Sequence, residues 1–297
     1  MKAAIVTQSY KNDFEECKLL CESIDKFVSA DLHHFIFVND EDYFLFKIIE
    51  NERHTIYKKS TIMPKYFIRI PWKIVGHHFH ISPFTLPVRE WILQQICKLG
   101  VFDVIDSQYD LVLNIDSEAV FMRPFSIENI MRDNYSIAMY KSSKVTQPSH
   151  DEYYRAARKL LGGGGSGPQH DYMSTPVCFK KNNLNNLLAK ISSRNIFHSW
   201  KFALCNTYRF SENYLYGIFC SEINDINTTK HFTINKRLFP MIKIKGNISS
   251  NTLQTKIMDA LSDKDIFGVL MQKTDRKTGG FISIEQRKEI IYKIWKK

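Results

Sequence analysis

Residues 111–124 read LVLNIDSEAVFMRP. An apolar run from Leu111 to Ile115 stops at Asp116, Ser117 and Glu118, and an apolar stretch resumes at Ala119. A short apolar run bounded by polar residues fits a strand buried within a parallel sheet. Side chains alternate along extended chain, so Asp116 and Glu118 are expected on one side, just past the strand end. Two unpaired carboxylates there would repel each other and lose hydration. A divalent cation removes both costs, since Mg²⁺ or Mn²⁺ takes one or two protein carboxylates and completes its shell with water and phosphate oxygens. The pattern therefore points to a metal–diphosphate site. A solvated acidic turn, with Asp116 capping the next segment, fits the spacing equally well.

The surrounding chain gives this strand its setting. Residues 3–7 (AAIVT) read as a strand, SYKND as a loop, and Phe14 to Val28 as a helix with Phe14, Cys17, Leu20, Cys21, Ile24, Phe27 and Val28 at helical spacing. A second strand covers 34–38 and ends in Asn39 and Asp40, a short helical piece covers 44–49, and a third strand covers 55–57. This alternation predicts an α/β fold with a mostly parallel, Rossmann-like sheet flanked by helices. Ligands of such sheets bind beyond the carboxyl ends of the strands, where SYKND and NDED lie. Residues 60–85 are irregular. A helix is expected from near Pro87 to Gly100, with further strands at 110–115, 136–140 and 175–179 and helices at 153–161, 184–191 and 212–219. The simplest organisation is one main domain over 1–235 with a helical C-terminal extension over 236–297 packed on it.

The 297 residues are 44% hydrophobic and 13% aromatic, the composition of an ordered protein with a large core. The N-terminal apolar run is too short for a signal-peptide core, and no window approaches the ~18 apolar residues of a membrane span. Six cysteines without a CxxC pair suggest reduced thiols and a cytoplasmic protein. A net charge of +10 favours an anionic partner, whether a phosphorylated substrate, anionic lipid or nucleic acid, or serves solubility alone. The basic residues are scattered and no nucleic-acid motif is present, so nucleic acid is not the expected partner. The non-enzymatic alternative is a basic protein that binds nucleic acid or acidic glycan.

Four segments carry a resemblance. YDLVLNIDSEAVFMRPF (109–125) resembles the D-x-D segment of GT-A-fold glycosyltransferases, a hydrophobic strand followed by D-S-D and F-x-R-P-F. AIVTQSYKNDFEECKLLCESI (4–24), LPVREWILQQICKL (86–99) and FSENYLYGIF (210–219) are similar to segments of bacterial enzymes of that fold that build capsule or lipopolysaccharide glycans. The resemblance implies a GT-A-like enzyme, dependent on Mn²⁺ or Mg²⁺, that moves a sugar from a diphosphate-activated donor to a glycan acceptor. A lipid-linked acceptor would place it at the inner face of the cytoplasmic membrane. The same fold with phosphoribosyl diphosphate as donor is the alternative. The family's third motif position is usually Asp, and Glu118 keeps the charge with a reach one methylene longer.

By the same resemblance, Asp116, Glu118 and His231 would hold the metal. Ser9, Tyr10 and Asp13 would line the nucleotide pocket, with Asp40, Arg89, Gln94, Gln95, Asp116 and Ser117 contributing to the donor site. Arg89 suits phosphate because its planar fork donates two hydrogen bonds. Glu212 would deprotonate the acceptor hydroxyl, with Asp171 the second choice. Plainer readings stand beside these. Asp13 fits a capping box with Glu16, Asp40 a turn, Glu212 the first turn of a helix, and His231 a structural histidine. The group His77, His78 and His80 lacks cysteines and helical spacing and is not expected to bind metal. GGGGSGP (162–168) lacks the ending of a P-loop and reads as a flexible linker rather than a phosphate cradle. The last helix places Ile284, Ile290, Ile291, Ile294 and Trp295 near one face, with Lys288, Lys293, Lys296 and Lys297 around it. Peripheral membrane contact and packing on the domain fit that pattern equally.

Overall fold

β1 (Ala3–Ser9) is buried along its whole length, so it needs neighbours on both edges and cover on both faces. In the computed structural model it has them. The residues described are all except 64–66, 71, 73–78, 144–148, 165–169, 245–247, 274–281 and 297. Next along the chain come α1 (Phe14–Phe27), β2 (His33–Val38), α2 (Tyr43–Phe46) and β3 (His54–Lys58). An antiparallel hairpin set follows, β4 (Ile68–Arg69), β5 (Phe79–Ser82) and β6 (Thr85–Arg89), leading into α3 (Glu90–Leu99). Then come β7 (Leu111–Asn114), β8 (Ala119–Phe121), β9 (Ile137–Tyr140), α4 (Ser149–Leu161), β10 (Val177–Lys180), α5 (Lys181–Ser193), α6 (Trp200–Cys205) and α7 (Glu212–Ile218). The chain ends with β11 (His231–Ile234), β12 (Met241–Ile244), α8 (Ser250–Leu261), β13 (Gly268–Lys273) and α9 (Ile284–Trp295).

The central sheet has the order β10-β7-β1-β2-β3. All its pairings are parallel except that of β10 with β7. The expected α/β class and mostly parallel sheet are therefore present. Ala4 and Val6 of β1 turn toward α3, α4, α5, α6 and α7, while Ala3 and Ile5 turn toward α1. The period of two thus separates two apolar layers, and each fully buried Leu, Ile or Phe in them contributes about 1.5–3 kcal/mol.

Three sequence expectations shift. Pro87 belongs to β6, and the helix starts only at Glu90; the proline's missing N–H is tolerated in this short hairpin strand at the sheet's margin. The strand before the acidic pair ends at Asn114, and Asp116 to Ala119 form a tight turn closed by the Ala119 N–H to the Asp116 carbonyl at 3.0 Å. Asp116 and Glu118 are therefore not on one side of extended chain. The apolar stretch after the turn is β8, which pairs antiparallel with β13, itself parallel to β12.

That small sheet joins the C-terminal residues to the domain. α9 lies on α1 through ion pairs of Arg287 with Glu16 at 2.6 Å and Lys288 with Glu15 at 2.5 Å. Ile290 and Ile291 are buried in a core shared with α8 and Leu19 of α1. Packing therefore buries Ile290 and Ile291 of the amphipathic last helix and leaves Ile284, Ile294 and Trp295 half-buried. No helix among the described residues is long and apolar enough to cross a membrane. Both Arg287 and Glu16 are buried. Removing one partner of such a pair costs about 3–5 kcal/mol, whereas replacing both with apolar residues is often neutral. Arg287→Met should accordingly lower the unfolding free energy in urea by about that amount, and adding Glu16→Leu should restore most of it.

Candidate functional site

The cleft of about 1660 Å³ lies beyond the carboxyl ends of β1, β2 and β7. One wall is formed by α3 and the start of α7, and the other by residues of β12, α8 and β13. This is the position that a parallel sheet prescribes for a ligand.

Gln8 follows Val6 by two residues, and Asn114 sits opposite Val6 in the register. Both therefore turn toward the α3 side of the sheet, at the cleft floor. Gln8 is 3% exposed and Asn114 4%, and the amide groups of both have no partner among the described residues. A buried amide left this way costs about 1–3 kcal/mol, which a ligand that supplies donors and acceptors would recover.

Gln95 and Lys98, three apart on α3, face the same space. The Lys98 ammonium donates to Asp116 Oδ1 at 3.0 Å and to Glu212 Oε1 at 2.9 Å. Thr175 Oγ1 donates to Asp116 Oδ2 at 2.9 Å. The Gln95 amide, turned with its nitrogen toward Glu212, donates to that carboxylate. Glu212 opens α7 behind Ser211, whose hydroxyl caps the helix by accepting from the Asn213 N–H. Burial alone would lower the pKa of Lys98, but Asp116 and Glu212 outweigh it and hold the ammonium above its usual value. Burial would raise Asp116, and Lys98 together with Thr175 instead keeps its carboxyl below the usual range. The two groups are therefore ionised at neutral pH. The Asp116 side chain is 41% exposed and that of Glu212 only 5%, so Asp116 is the open end of the array.

Of the residues expected at the donor site, Tyr10, Asp13, Arg89, Gln94, Gln95, Asp116 and Ser117 line the cleft, and so do Glu118 and Glu212. Asp13 makes no capping hydrogen bond to α1. Ser9 stays inside β1, where its carbonyl accepts from the Lys59 ammonium at 3.0 Å. Asp40 is exposed and accepts the Ser60 N–H at 3.2 Å, as a turn residue does, while Asn39 and Asp42 beside it reach the cleft.

Asp171 is displaced from the expected role. It is fully buried and does not line the cleft. Its carboxylate accepts from Arg237 Nη2 at 3.0 Å, the Met173 N–H at 2.9 Å and Tyr214 Oη at 3.3 Å. It is a positioning residue for Arg237, which does face the cleft. His231 is displaced as well. It is buried in β11 with Nε2 3.3 Å from Tyr216 Oη, and burial pushes its pKa down to about 4. It borders a different pocket from Asp116. No trio of His, Cys, Asp and Glu side chains among the described residues converges on Asp116. His80 belongs to β5, whereas His77 and His78 lie outside the described residues. Gly162 follows α4 with a φ of 88°, and the rest of the glycine-rich stretch from 165 onward also lies outside them.

Lys98 sits inside one of the resembling segments, but its role is not legible there, and Gln8, Asn114, Thr175, Arg237 and Lys243 were missed from sequence. Gln8 and Asn114 carried a signal, since each is a polar residue inside an apolar strand run. Arg237 and Lys243 carried none, because no clear periodicity marks the elements around them.

Asp116 is the residue of this array that could hold a divalent ion. Each Asp116 oxygen keeps a second lone pair, the side chain is open to the cleft, and such ions accept a single protein carboxylate when phosphate oxygens complete the shell.

No curated protein matches the chain. A family model, described as a family of unknown function, matches residues 3–261, from β1 to the end of α8. The chain belongs to that family, DUF6492.

Proposed function

We propose that the chain is a GT-A-like glycosyltransferase that moves a sugar from a diphosphate-activated donor to a glycan acceptor. One observation carries the reading. Asp116 from the strand-end motif, Lys98 from the α3 motif and Glu212 from the α7 motif meet in a single hydrogen-bonded array on the cleft wall. These are three of the four segments whose resemblance suggested the reaction.

In this reading the acceptor hydroxyl oxygen bonds to the anomeric carbon as the bond to the diphosphate breaks, the electron pair leaves on phosphate, and the hydroxyl proton passes to an oxygen of the departing diphosphate. Lys98 supplies fixed positive charge near that leaving group, in a pocket where it is already oriented. Glu212 and Gln95 hold Lys98 in place, and Arg89 and Arg237 add cationic groups to the same cleft. Gln8 and Asn114 offer paired donors and acceptors to the donor's polar edges. A divalent ion held by Asp116, with Glu118 nearby, would neutralise the diphosphate when bound.

Thermal melting with Mn²⁺ or Mg²⁺ and a panel of nucleoside diphosphates and phosphoribosyl diphosphate tests the reading. A ligand at one hundred times its Kd should add about 2.7 kcal/mol of stability, and Asp116→Asn should abolish the metal-dependent part. A shift with phosphoribosyl diphosphate alone would move the donor to that class, and no shift with any ligand would overturn the proposal.

Glu212→Gln keeps an oxygen that accepts from Lys98, so a positioning role should cost about tenfold in turnover. A loss of ~10²–10⁴ with a changed pH profile would assign Glu212 as the proton acceptor instead. Gln8→Met should raise the stability of the unliganded chain by about 1–3 kcal/mol while weakening ligand binding in the same melting experiment.

A further inference from the structure

We propose that Cys21, His34 and His54 form a structural binding site for a zinc-type divalent ion, on the α1 side of the sheet and away from the cleft. The three come from three elements. His34 and His54 are register partners on β2 and β3, and Cys21 lies on the helix that covers them. All three are buried, and their donor atoms lie within 4.8 Å of one another. His34 Nδ1 is 2.9 Å from His54 Nδ1 and 3.9 Å from Cys21 Sγ. A tetrahedral zinc with Zn–N of about 2.0–2.1 Å and Zn–S of about 2.3 Å sets those edges at roughly 3.3 and 3.6 Å. Each needs to change by only about 0.4 Å, which side-chain rotation supplies.

The far side of each imidazole matches the same chemistry. His54 Nε2 lies 3.1 Å from Asp25 Oδ1, and His34 Nε2 lies 2.9 Å from Thr7 Oγ1. Histidines that bind metal donate their other ring N–H to a carboxylate or similar acceptor, which fixes the ring and its tautomer. With both Nε2 atoms protonated, both Nδ1 lone pairs point at the shared space beside the thiol. A pair of histidines without metal would satisfy itself by a single Nδ1–H to Nδ1 hydrogen bond and would not require the sulfur.

A thiolate with two imidazoles suits Zn²⁺ better than Mg²⁺ or Ca²⁺, which prefer oxygen. Cys21 belongs to an apolar cluster with Phe14, Ile36, Val38, Phe46 and Ile56, while the Asp25 carboxylate beside His54 is half exposed. Cys17, one helical turn before Cys21 and also buried, is a further thiol on the same helix face. The site would tie α1 to β2 and β3.

The test uses the full chain purified without chelator from zinc-supplemented culture. Elemental analysis should find about one zinc per chain, retained through gel filtration, in the wild type and in Asp116→Asn. Cys21→Ser and His54→Gln, confirmed folded by circular dichroism, should lose it. Cobalt added to metal-stripped wild type should give a thiolate-to-cobalt charge-transfer band that Cys21→Ser lacks. Should those variants fail to fold, zinc added to the stripped wild type decides, and the expected result is a raised melting temperature. A zinc-free wild type with neither a cobalt–thiolate band nor a melting shift would overturn the proposal, as would zinc retained equally by Cys21→Ser and His54→Gln.

Discussion

Two carboxylates brought from residues 116 and 212 share one ammonium at the edge of the sheet. Without Lys98, Asp116 and Glu212 would face each other across a partly dry space, and the cost would fall on the α3–α7 packing that forms the cleft wall. The lysine permits acidic groups to stand at the end of a buried strand. It also fixes their direction, because it donates to both at once. Tyr10, Asp13 and Arg89 border the same cleft, but this ion-paired array gives that border a set geometry.

The same arrangement explains what was legible in the sequence. The alternation of strands and helices over residues 3–57 is a strong local signal, since β1 is buried on both faces and α1 on one, and the fold class follows from it. The strand before Asp116 was equally clear, because an apolar run has few other fates. The path of the chain just past it was not. A turn and an extended strand differ there by one backbone hydrogen bond, and that bond decides where Glu118 points. Lys98 stood in a resembling segment, but its pairing could not be read there, as its partners lie 18 and 114 residues away along the chain. Asp171 was expected at the site from its place after the glycine-rich loop, and His231 from the resemblance, which suggests a late histidine ligand. Their burial is explained by Arg237 in the first case and by the packing around Tyr216 in the second.

The two sides of the sheet carry different kinds of polar cluster. On the α3 side, polar groups gather where the strands end and the surface is concave, so a ligand can enter. On the α1 side, the buried His34–His54 pair lies within the sheet under a helix. A group placed there contributes to rigidity, whereas a group placed at the strand ends meets solvent in an open cleft.

The pairing of β8 with β13 has a consequence in the order of synthesis. β8 is made early, directly after the Asp116 turn, yet its partner strand begins at Gly268. Arg237, Lys243 and Lys256, on the opposite wall of the cleft, also come late in the chain. While the ribosome is still translating that stretch, Lys59, Arg69, Arg89 and Lys98 of the first wall exist without the cations of the second. The emerging protein therefore acquires its full complement of cleft-facing cations only near the end of translation.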